Sequence, residues 1–272
     1  MKINKIQIVI TIAILTFGTF FANMAVAERG DIVALTNPAW INSDGVSRVA
    51  TQGDQIIAGD VVSTGPGGNV QIMLPDGTRI VIGPNSQMKM TRLAFRRNNT
   101  ARRVRLNAVA GTFRFITGNS PKRAFSVRTP TATMAVRGTA FDFAVERTEQ
   151  GTSLVVHDGV VRLCGSSSRC VAVPRGCQTV QIDRLRRFTQ PQNQEERLAI
   201  LRALFPYARG DTQLEPLFRT FVENCQRSDG DRTASNGTAE PETITKLELP
   251  ADPGGAPVDD GDEDEEPRNP AE

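Results

Sequence analysis

The sequence predicts an all-β main domain, a solenoid-like or roll-like stack of short strands, followed by a small C-terminal helical hairpin and a disordered tail. Three patterns carry the prediction. Apolar residues alternate with period two from Gly30 to about Ile182. Glycine-centred turns recur through the same stretch. Beyond about residue 189 the apolar spacing becomes helical, and beyond Cys225 apolar residues almost disappear. Alternation is the mark of a strand with one buried face, and glycine supplies the positive φ of tight turns. With one Trp and one Tyr against 13 Phe, the core must rest on aliphatic residues and phenylalanine.

Taken in order, the chain opens with Lys2 and Lys5, an apolar run from Ile8 to Phe21, and Ala25-Val26-Ala27. A basic start, a short apolar stretch and a small-residue site predict a signal peptide over 1–27, cleaved after Ala27. No other segment reaches the ~20 apolar residues of a membrane helix, so no mature transmembrane helix is expected. The β domain is then assigned to 28–188. Its alternating sets include Val70, Ile72 and Leu74, then Val104 and Leu106, Phe113 and Phe115, Met134 and Val136, Phe141 and Phe143, and Leu154 and Val156. Gly77, Gly111, Gly138, Gly159 and Gly176 are each expected to separate two short strands. Stacked strand–turn–strand units favour a solenoid or roll; a two-sheet sandwich is the alternative.

Residues 189–225 are read as a helical cap. Leu198, Leu201, Leu204 and Phe205 share one face of a helix over Glu195–Phe205, with Pro206 at its end. Leu214, Leu217, Phe218, Phe221 and Val222 predict a second helix over Thr212–Asn224. The pair is expected to cover an open end or face of the β body. The acidic tail, 226–272, is expected to be disordered because high charge with few apolar residues cannot sustain a core.

The cysteines and the single histidine narrow the chemistry. Four cysteines in an exported chain, Cys164, Cys170, Cys177 and Cys225, predict disulfides, with three pairings open. A Cys164–Cys170 bond would close a small loop, and Cys177–Cys225 would then tie the C-terminal segment to the body. No C-x-x-C spacing calls for a metal, and nothing calls for a cofactor. His157 is the only histidine, so any histidine relay must use it, beside Asp158 in an expected turn. Ser126 and Ser153 are the imaginable nucleophiles, but no G-x-S-x-G surrounds either. A non-enzymatic protein is expected.

Charge is distributed unevenly. The formal total is +2, yet residues 226–272 hold 14 acidic and 4 basic residues, leaving 28 basic and 16 acidic in the rest. From Gly77 to Phe141 there are 13 basic residues and no acidic one. Arg92, Arg96, Arg97, Arg102, Arg103 and Arg105 form the candidate anion-binding cluster, because a guanidinium fork binds phosphate and carboxylate bidentately. The partners that fit are an anionic glycan or lipid, an acidic envelope protein, or the chain's own acidic tail. Nucleic acid is not expected: Phe95 is the only aromatic between Arg92 and Arg105.

Three stretches carry a family resemblance. They are Gly59-Asp60-Val61-Val62-Ser63-Thr64-Gly65, then Asp76-Gly77-Thr78 followed by Gly83-Pro84-Asn85-Ser86, then Thr129-Pro130-Thr131-Ala132 running on to Val136-Arg137-Gly138-Thr139-Ala140-Phe141. In this order they resemble the FecR protein domain, over roughly residues 50–165. The resemblance implies an extracytoplasmic, non-catalytic β module. In the namesake sensors such a domain relays an outer-membrane signal towards a sigma-factor-controlling segment. With a cleavable leader and a helical, acidic C-terminal region, this chain is more similar to stand-alone exported FecR-domain proteins than to the transmembrane regulators. The expected function is binding or signal relay in the bacterial envelope, periplasmic or secreted. The alternative is an anionic glycan- or lipopolysaccharide-binding protein using the basic 77–141 stretch.

Read from the residues, the motif is structural. Gly77, Gly111 and Gly138 are turn formers. Asp76 and Asn85 suit tight turns by bonding backbone amides. Thr78 and Thr139 are expected to satisfy backbone groups at corners, and Arg137 to bridge neighbouring coils.

Overall fold

The computed structural model describes residues 29–220 and 225, apart from 37, 122, 149–150 and 166–168. The predicted signal peptide and acidic tail lie outside these residues, as do the side chains of Arg137 and Arg209.

Among the described residues, fifteen strands form one continuous sheet. They are β1 (Arg29–Thr36), β2 (Ala39–Ser43), β3 (Val46–Val49), β4 (Gln55–Ile57), β5 (Val61–Thr64), β6 (Asn69–Met73), β7 (Arg79–Ile82) and β8 (Gln87–Phe95). After them come β9 (Ala101–Ile116), β10 (Phe125–Arg128), β11 (Ala132–Val145), β12 (Thr152–Gly165), β13 (Cys170–Pro174), β14 (Gln178–Ile182) and β15 (Phe188–Thr189).

The pairings sort these strands into two layers. The early part of β9 pairs with β8 and β10, and its late part with β7 and β11. The same division runs through β11 and β12: β12 meets β14 with residues 152–156 and β13 with residues 160–164. One layer therefore reads β4-β1-β6-β7-β9-β11-β12-β14-β15, and the other β3-β2-β5-β8-β9-β10-β11-β12-β13. The long strands β9, β11 and β12 cross from one layer to the other. Side chains meet between the layers, where Phe115 from the first packs edge-on against Phe125 from the second, ring centroids 5.7 Å apart.

Two expectations change here. Strand neighbours pair antiparallel except β9 with β10, so the repeated units do not stack as the parallel coils of a solenoid. Gly111, Gly138 and Gly159 do not separate strands; they lie within β9, β11 and β12, at the bends. The sequence holds the reason. Buried positions on β9 are even-numbered through Val104, Leu106 and Ala108, then odd at Phe113 and Phe115. On β11 they pass from Met134 and Val136 to Phe141 and Phe143. One extra residue at each bend keeps both halves facing the core, which is what a bulge does. Register shifts between β11 and β12 fall at Arg137–Ala140.

The bends of successive strands lie against one another. Gly65 N–H donates to Pro38 O at 2.9 Å, Asn85 N–H to Gly65 O at 3.1 Å, and Gly83 N–H to Thr112 O at 2.8 Å. Glycine is required where this ladder is tightest. Gly111 has φ +106°, and a Cβ there would collide with Ser86. Gly159 has φ +78°, and a Cβ there would strike the carbonyl of Gly138. Any other residue at these positions meets backbone strain and a clash together.

The cap forms differently from its prediction. α1 (Gln194–Leu204) matches the first predicted helix, with Asn193 as N-cap accepting from Glu196 N–H at 2.9 Å. Pro206 then begins a second short helix, α2 (Pro206–Arg209), where its missing N–H costs nothing. The helix predicted over Thr212–Asn224 is absent across its described part; a single 3₁₀ turn at Pro216–Phe218 takes its place. Tertiary contacts override helical spacing here. Gln71 Oε1 accepts from Glu215 N–H at 2.8 Å, and Arg79 donates to Leu217 O at 2.6 Å. The segment's apolar residues enter the sheet instead: Leu201, Phe205 and Ala208 pack on Ala144 and Val155, while Tyr207, Leu214 and Phe218 pack on Val81.

Candidate functional site: one buried and one exposed arginine cluster

The cap covers the outer face of the first layer, and that face contains charge. Phe113-Arg114-Phe115 of β9 pairs in register with Phe143-Asp142-Phe141 of β11. The phenylalanines point between the layers, so Arg114 and Asp142 point the other way, under the cap, with their side chains fully buried. Arg114 Nε donates to Asp142 Oδ1 at 2.7 Å and Nη2 to Asp142 Oδ2 at 2.9 Å. Nη2 also donates to Tyr207 O at 2.9 Å, and Nη1 to Asp211 Oδ2 at 2.9 Å and Phe218 O at 3.4 Å. All five N–H donors of the guanidinium are thereby used. Tyr207 adds its ring face, 5.6 Å from the guanidinium carbon.

His157 joins this cluster. It lies within β12, not in the turn expected from the sequence, and its side chain is buried. Nε2 stands 3.1 Å from Asp142 Oδ2, and Nδ1 lies 3.7 Å from Cys225 Sγ. Burial alone would raise the Asp142 pKa, but Arg114 and then His157 outweigh it and hold the carboxyl well below the usual carboxylate range. For Arg114, burial opposes the charge and the Asp142 and Asp211 carboxylates overcome that, raising its pKa. Burial, then the Asp142 charge, pushes the Tyr207 phenol up.

Two disulfides are formed, Cys164–Cys170 and Cys177–Cys225. The first joins directly paired positions of β12 and β13. The second pins the end of the cap to the bend between β13 and β14, beside His157. His157, Cys177 and Cys225 do place three possible metal donors within 4.8 Å of one another, but both sulfurs are committed to the disulfide. Ser153 is buried and accepts from Gln181 Nε2 at 3.0 Å. It has no hydrogen bond to His157 among the described residues, so the two do not form a nucleophile–base pair.

The motif residues are structural where they are described. Asp76 Oδ1 accepts from Thr78 N–H at 3.1 Å and Oδ2 from the Thr78 hydroxyl at 2.9 Å. Thr78 Oγ1 in turn accepts from Gly118 N–H at 3.0 Å. Asn85 takes φ +52°, and its carbonyl accepts from Arg147 at 2.8 Å. Thr129 Oγ1 accepts from Ala132 N–H at 3.0 Å and meets the Thr152 hydroxyl at 2.7 Å, with Pro130 exposed between. Thr139 departs from expectation. Its backbone does the bonding, through N–H to Thr117 Oγ1 at 2.7 Å, while its own buried hydroxyl has no partner among the described residues. The bridge expected of Arg137 falls outside the described side chains.

The six candidate arginines gather on the second layer. Arg92 and Arg105 are direct cross-strand partners on β8 and β9. Arg103 follows on the same outward face, Arg96 and Arg97 occupy the β8–β9 hairpin tip, and Arg102 stands at its return. Inward positions on these strands hold Met88, Met90, Leu93, Val104 and Leu106, all buried. The same face adds Lys89, Arg128 and Arg162, all exposed. None of the six guanidinium groups makes a hydrogen bond or ion pair with another described residue.

The Arg114–Asp142 pair escaped sequence reasoning, though a signal was present. Phe-Arg-Phe and Phe-Asp-Phe each put one charge at the centre of a phenylalanine-rich strand, with opposite signs. Such charges are buried only when paired.

Known proteins show limited similarity to this chain. No curated protein sequence matches the chain. Two crystal structures of a provisionally named anti-sigma factor from Parabacteroides distasonis are similar to it, at 19% and 17% identity, each with a TM-score of 0.40. Each similarity covers 48% of this chain and 58% of the other, so the chain spans little more than half the length of those proteins. Residues 60–162, from β5 into β12 and including the bends at Gly111, Gly138 and Gly159, match the family model described as FecR protein. The chain thus carries, over residues 60–162, a region similar to the FecR protein domain.

Proposed function

We propose that this chain is a non-catalytic, extracytoplasmic binding or signal-relay module of the bacterial envelope, and that the second layer's cationic outer face is its recognition surface. One observation carries the choice of surface. Arg92 and Arg105 stand directly opposite each other, and like charges in that position repel. Arg103, Lys89 and Arg128 share their face. No described carboxylate answers the arginines, so a bound anion would relieve repulsion and gain bidentate bonds together. The location reading is supported by the FecR match and by two disulfides, which persist in oxidising compartments. No helix among the described residues is long and apolar enough to cross a membrane.

The test is a crosslinking capture from the envelope with the full chain and with an Arg92→Gln/Arg105→Gln variant. A stoichiometric acidic protein captured by the parent and lost by the variant supports the relay reading. The same lack of acidic residues from Gly77 to Phe141 favours a second reading, an anionic glycan or lipopolysaccharide ligand. Salt-sensitive recovery of lipopolysaccharide or glycan in place of a protein would select it. Capture unchanged by the double substitution removes the face from both readings. A hydrolytic activity abolished by His157→Ala would overturn the non-catalytic assignment.

A further inference from the structure

We propose that the cationic outer face docks on an anionic phospholipid surface, with Trp40 entering the interface and the basic residues meeting lipid phosphates; this rests on that face being the recognition surface. Strand register arranges the face in three rows. The first, nearest the bends, runs Val49, Trp40, Ser63 and Gln87 across β3, β2, β5 and β8. The second runs Asn42, Val61, Lys89, Asn107 and Arg128 across β2, β5, β8, β9 and β10. The third runs Arg92, Arg105, Ser126, Ala135 and Arg162 across β8 to β12. Ala39 and Ile41 flank Trp40 and are buried, as Met88 and Met90 are beside Lys89, so Trp40 and Lys89 both point outward.

The composition of the rows chooses the occupant. None of these positions holds a carboxylate, while the second and third rows hold Lys89, Arg128, Arg92, Arg105 and Arg162. Such a field complements the phosphates of an anionic bilayer, each of which offers paired oxygens to a guanidinium fork. The first row adds apolar surface. Trp40 is 36% exposed and Val49, directly opposite it, is 59% exposed. Val109, 43% exposed, extends the row at the β9 irregularity beside Gln87. A soluble polyanion leaves these side chains in water, whereas a bilayer interface removes them from it, and tryptophan suits the headgroup level because its body is apolar and its N–H polar. Adjacent rows lie about 7 Å apart. With Trp40 at the interface, Lys89 and Arg128 therefore fall within the about 10 Å over which a charged surface acts at 0.1 M salt.

Trp40 is the chain's only tryptophan, so its emission reports this row directly. In the full chain at low salt, mixed phosphatidylglycerol–phosphatidylcholine vesicles should shift that emission to the blue, and the same vesicles with brominated acyl chains should quench it. Pure phosphatidylcholine vesicles should do neither. Arg92→Gln with Arg105→Gln should weaken sedimentation with the mixed vesicles about tenfold or more. Trp40→Ala should weaken it several-fold, since interfacial binding scales with the apolar area buried. Parent and variants share every residue outside this face, so a difference between them belongs to it. Vesicle binding with Trp40 unshifted and unquenched overturns the inference, as does a Trp40 shift with lipopolysaccharide and none with phospholipid. No vesicle binding, with envelope capture still lost in the double variant, overturns membrane docking and leaves the face as a recognition surface for an acidic protein or glycan. Capture and vesicle binding both unchanged by the double substitution remove the recognition reading, and this inference with it.

Discussion

Arg105 and Arg114 lie on one strand and come to opposite ends. Arg114 is on the half of β9 covered by the cap, and every one of its donors is matched by a carboxylate or carbonyl. Arg105 is on the half left uncovered, directly opposite Arg92, with no acceptor among the described residues. The difference teaches how to separate structural from available charge in this fold. A buried arginine is tolerated only when the fold answers it completely, because uncompensated burial of a charge costs several kcal/mol. A cluster whose strand pairing sets like charges against each other has no answering carboxylate among the described residues.

Breaking the covered side should have the largest effect. Arg114→Ala strands Asp142 in the interior and removes the bonds to Tyr207, Asp211 and Phe218, so a loss of about 3–5 kcal/mol is expected in urea denaturation. Next comes the tether. Cys225→Ser, or reduction, opens a Cys177–Cys225 loop with a sequence separation of 48 and should cost about 2–4 kcal/mol. Thermal melts with and without reductant measure this, and the Cys225→Ser protein should lose most of its response to reductant.

A smaller effect is expected from acid. Asp142 has a depressed pKa when folded, so the unfolded chain binds more protons as pH falls. Its contribution is complete above the ordinary carboxylate value of 3.8 and is lost progressively below it. The urea midpoint of the parent should therefore drop through that range, and Asp142→Asn should flatten that part of the slope. A parent midpoint no steeper than the variant's would remove Asp142 from the acid response. The smallest effect on stability should come from the uncovered side. Arg92→Gln with Arg105→Gln should leave the denaturation midpoint unchanged or slightly raised, since a repulsion is removed, while weakening salt-dependent capture. A large stability loss from that pair would erase the contrast between the two faces.

Much of this was legible before the fold was known. Alternation around the phenylalanines and aliphatic residues marked the strands, and the resemblance in the Asp76-Gly77-Thr78 and Arg137-Gly138-Thr139 stretches marked the domain. Gly77 does separate two strands, whereas Gly111, Gly138 and Gly159 resemble it locally and yet lie within strands. A positive φ is needed both in a tight turn and at a bend within a strand, and only the pairing partners distinguish the two. The change of parity between Val104–Ala108 and Phe113–Phe115 was the available clue. The second helix failed for a related reason. Helical spacing of Leu214, Leu217 and Phe218 describes which residues are apolar, but Gln71, Arg79 and Val81, distant in sequence, decided how they would be buried.

By itself the sequence determined the local terms: which residues could alternate into strands, where glycine was needed, and how charge was divided between β body and C-terminal segment. These follow from the period of the backbone and from composition, which are properties of neighbours along the chain. The tertiary structure alone decided that Arg114 would be locked and Arg105 left open, that Cys177 would meet Cys225, and that His157 would be enclosed beside Asp142. Each depends on which face of the sheet the cap covers. That choice is made by contacts between residues far apart in sequence, where periodicity carries no information.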